Sequence, residues 1–431
     1  MREAVAERSN PRVVRAWCLY DWASSAFVTT VVVALFPPFF RHLAQAAGLA
    51  PATATAAWGY VTAAGMLLAA LLSPLLGAYA GRRGIWKRPL AISAGLGILA
   101  TAACAGIPNR AWLLAGVLFL VADLGFAGAN VLYESLLPRI GRPGELNRIS
   151  TRGYALGYVG GGCLLLMNLL WVTRPRLFGM PDADFAVRAA FVSVALWWAI
   201  FSLPLLRAVP ENPEATRAPV RERVSLFDAW RQLRRTAREI GRHGQLLLFL
   251  VAFWLYSDGI GTIVKLATAY GDEIGIGLPD MMIALVITQF VGIPCALFFG
   301  RLAGWIGTRR AILCGLAVYV LIAIGGYFLR TAAHFYTLAL LVGMVQGGTQ
   351  ALSRSLFARL VPRERSAEFF GFFSTSARLA GLAGPLLFSV VTQWSGQSRL
   401  GIVAIVIFFV AGAILLARVE VSDADAPADA S

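Results

Sequence analysis

The sequence predicts an all-α polytopic membrane protein with 12 transmembrane helices, arranged as two six-helix halves with pseudo-twofold symmetry. Of the 431 residues, 58% are hydrophobic and 14% are charged, against about 45–50% and about 25% in soluble domains. Apolar runs of about 20 residues recur along the chain, the length that a helix needs to cross a bilayer. The longest polar stretch separates six runs from six. We therefore expect no large domain outside the membrane.

Twelve apolar runs, each bounded by charged residues or by Gly and Pro, predict the individual spans. Because twelve is an even number, both termini lie on one side of the membrane. The predicted spans cover residues 16–40, 57–80, 89–107, 112–137, 152–173, 186–206, 246–269, 281–304, 309–329, 334–358, 368–394 and 399–417.

The net charge is +15, from 38 basic and 23 acidic residues, a balance that by itself suggests binding to nucleic acid or an anionic surface. The distribution indicates another cause. Twenty-nine of the Lys and Arg residues fall on the side of the termini and seven on the other side, and cytoplasmic loops carry the excess of positive charge. The sequence therefore predicts a multi-pass protein of the plasma (inner) membrane with both termini cytoplasmic, and no nucleic acid partner.

Several kinds of chemistry have no counterpart in the sequence. The five cysteines lie far apart and form no CxxC or Cys/His spacing, which predicts neither a disulfide framework nor a metal site. No Gly-x-x-x-x-Gly-Lys-Ser/Thr loop is present, so ATP does not drive the protein directly. The predicted external loops are short and lack paired acids or His. We expect no enzyme, no cofactor, no metal and no cleavable signal peptide.

The polar stretch also sets the predicted domains. These are an N-terminal six-helix half over 1–206, a cytoplasmic linker over 207–244, a C-terminal six-helix half over 245–418 and a disordered acidic tail over 419–431. Within the linker, apolar residues recur at helical spacing between arginines over 224–240, which predicts an amphipathic helix on the cytoplasmic leaflet. The linker is either a tether that packs the halves together or an element with a regulatory role.

An internal repeat relates the two halves. The loop after span 2, Gly77–Gly84, and the loop after span 8, Gly300–Gly307, share a glycine pattern with nearby basic residues. Tyr20-Asp21-Trp22 in span 1 corresponds to Tyr256-Ser257-Asp258 in span 7, and spans 4 and 10 both end in Leu-x-Pro. Two halves related by a parallel repeat are a feature of secondary transporters, whose site lies between the halves near the midplane.

The Gly-x-x-Ala-x-Arg-x-Gly-like turn between spans 2 and 3, repeated between spans 8 and 9, resembles the signature loop of the major facilitator superfamily. The segments Leu19–Phe27, Leu255–Gly259 and Val345–Ser355 resemble its vacuole-effluxer-like branch, the autophagy-related amino-acid effluxers. The resemblance extends over nearly all spans. It implies the major facilitator fold, alternating access and efflux of amino acids, the function in which the fungal vacuolar members are implicated.

The signature loop departs from the family pattern at one position. The family has an Asp where this chain has Gly81, and Gly304 stands at the corresponding place of the second copy. In the family that acid helps to lock the cytoplasmic gate, so the resemblance does not carry an Asp/Arg latch over to this chain.

Charges inside spans are costly, so by default they face the bundle interior or a cavity and have a function. Asp258 in span 7 is the first candidate, because a carboxylate beside Gly259 and Gly261 can meet a ligand amine or carry a coupling proton. The alternative is a buried Asp that pairs with another helix. The aromatic residue at the start of this segment, Tyr256, is a further candidate for the pathway.

For two other acids, Asp21 and Asp123, the sequence is equally consistent with a functional role and with a structural role. Asp21 lies in the family-like segment between Tyr20 and Trp22, aromatics that suit either an interfacial belt or a gate. Asp123 lies deep in span 4, and Asn130 follows two helical turns later, so a polar stripe on this helix either faces the cavity or forms structural hydrogen bonds.

Arg378 lies near the midplane of span 11, and its planar fork suits a carboxylate. Its partner is a substrate carboxylate, or else Asp258 or Asp123 in an ion pair. An Arg with acids on other helices suits a zwitterion, which supports an amino-acid-like substrate.

The candidate gate residues carry charge at cytoplasmic span ends. We interpret them as clusters that stabilise one gate state, with direct substrate contact as the alternative for the last two. They are Arg82, Arg83, Glu134 and Arg354.

The sequence therefore favours a secondary active or facilitative transporter that exports a small, amino-acid-like solute. Proton-coupled efflux of drugs or lipophilic cations is the first alternative, and a non-transporting receptor or polytopic enzyme is the alternative from another class. The expected partners of the monomer are a small-molecule substrate, the lipid bilayer and protons, the last through Asp258 or Asp21.

Overall fold

The computed structural model describes residues 10–209, 234–235, 238–241, 243–379, 381 and 383–420. Some side chains within these ranges, Arg82, Arg83 and Lys265 among them, lie outside the description. So do the acidic tail and nearly all of the amphipathic segment predicted over 224–240.

Six long helices form the N-terminal half. They alternate in direction across the membrane, and short turns or 3-10 segments join them. Their bounds are Pro11–Ala46 (α1), Pro51–Arg83 (α2), Lys87–Ala103 (α3), Trp112–Ser135 (α4), Leu146–Thr173 (α5) and Ala183–Ala208 (α6).

Six further helices form the C-terminal half in the same order. The predicted span over 368–394 corresponds to the candidate span Arg363–Ser395, within which α11 has two segments with a turn at Gly381. The bounds are Gly244–Glu273 (α7), Leu278–Ile306 (α8), Thr308–Tyr327 (α9), Ala332–Leu360 (α10), Ser366–Leu379 with Ala383–Ser395 (α11) and Ser398–Ala417 (α12).

Among the described residues, 11 helices are long and apolar enough to cross a membrane. The remaining long helix is α10, which carries Gln346, Gln350 and Arg354 at four-residue spacing. Residues four apart share one helix face. The helix with the weakest membrane signal therefore has a polar stripe, and a protein interior or a water-filled space must receive it.

Local sequence explains where the helices begin and how α1 changes along its length. The Asn10 side chain accepts a hydrogen bond from the Arg12 N–H, and Pro11 occupies the first turn. Within α1, Phe27–Leu35 is a π-helix. Pro37 and Pro38 follow directly, and because proline has no N–H it cannot continue the regular α-helical bonding. The helix adjusts by widening in front of them, as π-helical turns do.

The face that carries both ends of the described chain, here called the terminal face, is closed by polar contacts between the halves. Asn147 Nδ2 donates to Thr308 Oγ1 at 2.8 Å, and Ser355 Oγ donates to Asn147 Oδ1 at 2.5 Å. The hydroxyl of Ser150 donates to the Ala351 carbonyl at 2.7 Å. These bonds tie the start of α5 to α9 and α10.

Helices α2 and α11 approach closely on the same face. A Cβ on Gly77 would stand 2.2 Å from the Ala367 carbonyl oxygen, so only glycine allows this contact. Farther into the membrane, Thr375 Oγ1 donates to the Ala70 carbonyl at 2.8 Å. The two halves are therefore packed together from the terminal face to about the middle of the membrane.

Candidate solute cavity between the halves

A cavity of about 500 Å³ lies between the halves. It extends from the polar contacts of the terminal face toward the opposite ends of α7, α8 and α10, where Tyr270, Met281 and Phe335 line it. Most of its walls are apolar. The larger polar side chains that line it are Asp21, Asn130, Glu134, Tyr154, Tyr158, Tyr270, Gln289, Gln346, Gln350 and Arg354.

An ion pair between the halves forms the floor of the cavity. Arg354 Nη2 of α10 donates to Asp21 Oδ2 of α1 at 3.2 Å, and the two side chains are 2% and 14% exposed. Arg354 also donates to Ser150 of α5, from Nε to Oγ at 2.9 Å and from Nη2 to the carbonyl at 3.1 Å. Among the described residues Nη1 has no such partner.

Aromatic rings of the N-terminal half enclose the Arg354 guanidinium. Its central carbon lies 4.7 Å from the Trp17 ring centroid, 4.5 Å from that of Tyr154 and 5.7 Å from that of Tyr133. Cations within about 6 Å of a ring centroid are attracted by its quadrupole. The N-terminal half therefore binds a charged group of the C-terminal half through both ionic and aromatic contacts.

Gly153 of α5 leaves the space in which this pair forms. A Cβ at Gly153 would stand 2.5 Å from Asp21 Oδ2, 2.9 Å from the Trp17 ring and 3.2 Å from Arg354 Nη2. Any larger residue would push the acid or the guanidinium aside.

Glu134 and Asn130 line the cavity one helical turn apart on α4. Glu134 is 8% exposed. The sequence places Glu134 and Arg354 in cytoplasmic gate clusters, and the structure brings both to the cavity floor beside the contacts that close the terminal face. We find no ion pair for Glu134 among the described residues. Arg354 instead pairs with Asp21.

Asp258 lies away from the cavity. Its side chain is 0% exposed, and its carboxylate accepts the backbone N–H groups of Ala383 at 3.1 Å and Gly384 at 2.9 Å. Thr262 Oγ1, one turn along α7, donates to it at 3.5 Å. These amides begin the second segment of α11 and have no partner within that helix. The geometry corresponds to the structural alternative for Asp258, a buried acid bound to another helix.

Arg378 pairs with Asp123, one of the three partners that the sequence leaves open. Arg378 Nη1 donates to Asp123 Oδ2 at 3.2 Å, with side chains 17% and 16% exposed. The pair joins α11 to α4, and neither residue belongs to the described cavity lining. This arrangement does not bring Arg378 to a solute in this conformation.

The two candidate tyrosines are buried within their own halves. Tyr20 packs on Tyr133 with ring centroids 4.8 Å apart, and the Tyr256 hydroxyl bonds the Ser353 hydroxyl at 2.6 Å. Neither tyrosine lines the cavity. The side chains of the predicted gate residues Arg82 and Arg83 lie outside the described residues.

An acid stands near the glycine that departs from the family loop, but on the other helix. A Cβ at Gly81 would lie 3.8 Å from the Glu368 Cβ of α11. Arg365 donates to Glu368 at 3.0 Å and to both oxygens of Glu239 at 2.7 Å. The hydrogen bonds from Arg365 hold the pKa of Glu239, which precedes α7, below its usual range. Charged contacts thus exist at this face without a loop Asp.

Several cavity residues escape the sequence analysis, chiefly Tyr154, Tyr158, Gln289, Gln346 and Gln350. A signal exists for two of them, because Gln346 and Gln350 precede Arg354 at four-residue spacing on one face of α10. For the others the sequence holds no comparable pattern, since single polar residues within apolar runs are consistent with structural hydrogen bonds as well.

Comparisons with known proteins agree with this architecture. The proton:xylose symporter XylE, solved with 6-bromo-6-deoxy-D-glucose, superposes with a TM-score of 0.72 at 14% identity, covering 95% of each chain. FucP in the outward conformation gives a TM-score of 0.71 at 10% identity and covers 96% of this chain. The human organic anion transporter MFSD10 gives 0.69 at 18% identity, covering 94% of this chain and all of that one. At these identities the likeness shows the fold.

Sequence relatives identify the family. The MFS-type transporter YxiO of Bacillus subtilis is 34% identical over 405 residues, covering 94% of each chain. Autophagy-related protein 22 of Eremothecium gossypii is 24% identical over 465 residues, covering 93% of this chain and 89% of its own. A family model described as "Vacuole effluxer Atg22 like" matches residues 50–429.

Two six-helix halves with a single described cavity between them, together with these relatives, define a membrane transporter of the major facilitator superfamily. Within the superfamily, the chain belongs to the vacuole effluxer Atg22-like family. Both the family and the fold are those of transporters and not of enzymes.

Proposed function

We propose that the protein transports a small amino-acid-like solute through the cavity by alternating access. One observation carries the proposal, namely a guanidinium and two carboxylates at the floor of one cavity between the halves. The planar fork of Arg354 suits a carboxylate, and an ammonium group of the same solute suits Asp21 or Glu134. The volume of about 500 Å³ lies within the range of about 300–1,000 Å³ that small-molecule sites occupy.

The floor couples solute binding to the gate. Arg354 belongs to one half, and Asp21 and Ser150 to the other. A solute carboxylate that binds Arg354 competes with Asp21, and so weakens a contact that holds the terminal face closed. Differential binding of this kind is what a ligand needs in order to shift a conformational equilibrium.

The charged residues outside the cavity have supporting roles in this proposal. Asp258 holds the interrupted helix α11 in place, and the Asp123–Arg378 pair joins the halves near the midplane. Of the two acids to which the sequence assigns the coupling proton, Asp21 lies at the cavity floor and Asp258 does not.

Net efflux is the proposed direction and rests on the family description. The proposed location is the plasma (inner) membrane, with the terminal face cytoplasmic, and it rests on the distribution of Lys and Arg. A monomer is proposed as the working unit, because one chain contributes both walls of the cavity.

Thermal unfolding of the purified protein in detergent tests the substrate class. Amino acids, dipeptides, sugars and lipophilic cations are added separately at two pH values, since a ligand at about 100 times its Kd adds about 2.7 kcal/mol of stability. Stabilisation by amino acids that Arg354→Gln abolishes supports the proposal. If Arg378→Gln abolishes the stabilisation by amino acids and Arg354→Gln does not, the site lies at Arg378, as the sequence suggests. Stabilisation by sugars alone contradicts the proposed substrate class.

Efflux of lipophilic cations is the second candidate, because the walls above the floor are mostly apolar. Val28, Ile263, Leu285 and Val342 are among the lining residues, and the described floor has two acids against one arginine. Stabilisation confined to lipophilic cations would support this candidate over the first.

A further inference from the structure

The described ionisable groups at the cavity floor do not balance in charge. Asp21 and Arg354 form a neutral pair at 3.2 Å. Glu134 lines the same cavity and forms no ion pair with any described residue. An isolated charge within the membrane is costly, whereas a paired or neutral group is not. Glu134 therefore needs a proton or a cationic group as a partner of its own when the protein changes conformation.

The neighbours of Glu134 do not supply that charge in this conformation. Arg354 faces it from α10, but the Nε and Nη2 donors of this arginine are occupied by Asp21 and Ser150. Asp21 of α1 and Tyr154 of α5 face it as well. From α11, the more distant Arg378 is paired with Asp123.

Glu134 also lies where both sides of the membrane can reach it in turn. It belongs to the last turn of α4, close to the terminal face, yet in this conformation the contacts of α5 with α9 and α10 close that face. Glu134 lines the cavity in this conformation, and opening of those contacts would bring it to the terminal face.

We infer that Glu134 is the residue at which a proton and the ammonium group of the solute exclude each other. This inference rests on the proposed function. With the terminal face open, the carboxylate binds the ammonium group of the solute. With the cavity open to the other face, a proton adds to one carboxylate oxygen to give the neutral acid, and the solute leaves. Because the Glu134 carboxylate holds either the ammonium group or a proton, the transport is an exchange of one proton for one solute molecule.

Proteoliposomes test the exchange directly. Vesicles are loaded with a mixture of radiolabelled L-alanine, L-phenylalanine and L-glutamine, and downhill efflux is measured together with proton uptake from a weakly buffered medium. For the wild type we expect efflux with about one proton taken up per molecule released. In Glu134→Gln the side chain is neutral without a proton, so the empty carrier can return alone. Efflux then slows, because the ammonium group of the solute has lost its carboxylate, and the number of protons taken up per molecule released falls at least tenfold.

Glu145→Gln is the matched control, because Glu145 lies outside the cavity lining in the loop before α5 and pairs with Arg148 at 3.2 Å. It should retain both fluxes. A ratio of about one proton per molecule in the efflux that remains in Glu134→Gln would overturn the inference while leaving the proposed function intact. Wild-type vesicles with no efflux above protein-free vesicles would instead overturn the proposed function.

A measurement on the wild type alone keeps the inference testable if Glu134→Gln does not fold. Addition of the same amino-acid mixture to the protein in weakly buffered detergent solution should release a proton, because the ammonium group displaces it from Glu134. Stabilisation by the mixture with no proton release would overturn the inference.

Discussion

Asp21 and Asp258 come from the same repeated segment of the two halves, yet they bind opposite kinds of partner. Asp21 follows Tyr20 directly, crosses to the other half and pairs with a guanidinium beside the cavity. Asp258 follows Tyr256 by two residues, stays within its own half and binds backbone amides of α11. In the proposed mechanism, one acid belongs to a contact that changes during transport, and the other to a contact that supports a helix.

A shift of one residue explains this difference. Each residue turns the side chain about 100° around a helix axis. Tyr20 and Tyr256 both point into their own halves, where they contact Tyr133 and Ser353. An acid one residue later and an acid two residues later therefore face different neighbours. Both halves have the tyrosine, but the acid follows it by one residue in one half and by two in the other. The bundle therefore has one acid in the Asp21–Arg354 pair, here called the gate pair, and one acid that supports α11.

Removal of the guanidinium from the gate pair should have the largest effect. Arg354→Met leaves Asp21 mostly buried without a cation, and loss of one partner from a buried pair costs about 3–5 kcal/mol. We expect a corresponding fall in thermal stability in detergent. Asp21→Asn combined with Arg354→Met should recover much of the loss, because no charge then remains unpaired. Strictly additive effects in this double-mutant cycle would show that the two side chains do not interact.

The support acid should have the next largest effect, and it should act on stability. Asp258→Ala removes the acceptor of two amides at the start of the second α11 segment, and a buried unsatisfied group costs about 1–3 kcal/mol. Unfolding followed by tryptophan fluorescence measures the loss. Ser257→Ala, at the position equivalent to Asp21, is the control and should be nearly neutral. Equal losses in the two variants would remove the distinction between these neighbouring positions.

Gly153→Ala tests the gate pair without any change of charge. The added Cβ would meet Asp21 Oδ2 at 2.5 Å, and overpacking of this kind costs about 1–3 kcal/mol. Because the pair forms only when the terminal face is closed, we expect the equilibrium to shift toward an open terminal face. Thiol labelling of the Ala351→Cys substitution, which is buried beside Ser150, should become faster.

Gly162→Ala on the same helix provides the comparison for that experiment. Its Cβ would lie 3.7 Å from the nearest atom, Gln289 Cβ, which is an ordinary contact. Labelling should stay at the rate of the parent protein. Equal acceleration by both substitutions would mean that α5 tolerates no added methyl group, and that the gate pair is not the cause.

The smallest effect is expected at the exposed pair between Glu239 and Arg365, whose side chains are 30% and 34% exposed. Glu239→Gln should cost less than about 1 kcal/mol, as for surface pairs. Because Arg365 lowers the pKa of Glu239 in the folded protein, its contribution is present above the ordinary carboxyl pKa. It is lost as the pH falls through the lower folded value. Thermal unfolding at neutral and acidic pH should therefore show a wild-type advantage at neutral pH alone.

Features that depend on local sequence were predictable, and features that depend on helix packing were not. The twelve helices and the repeat were predictable, because span length and glycine-rich turns are local properties. Asp21, Glu134, Asn130 and Arg354 were identified as candidates, and all four line the cavity. The turn at Gly381 within the predicted span 368–394 was not predicted, because a single glycine in an apolar run is equally consistent with close helix packing. Asp258, the first candidate from the sequence, and Arg378 do not line the cavity.

Local sequence properties are enough to predict a bundle of membrane helices in two related halves, because each crossing of the bilayer requires an apolar run of similar length. Which charges meet depends instead on how the helices pack. Asp21 and Arg354 are 333 residues apart and belong to different halves. Their pairing depends on which face each helix turns toward the other half, and on the space that Gly153 leaves between them. A carboxylate in an apolar run has the same local signature whether it binds a backbone amide, a guanidinium or a solute, so packing alone separates these roles.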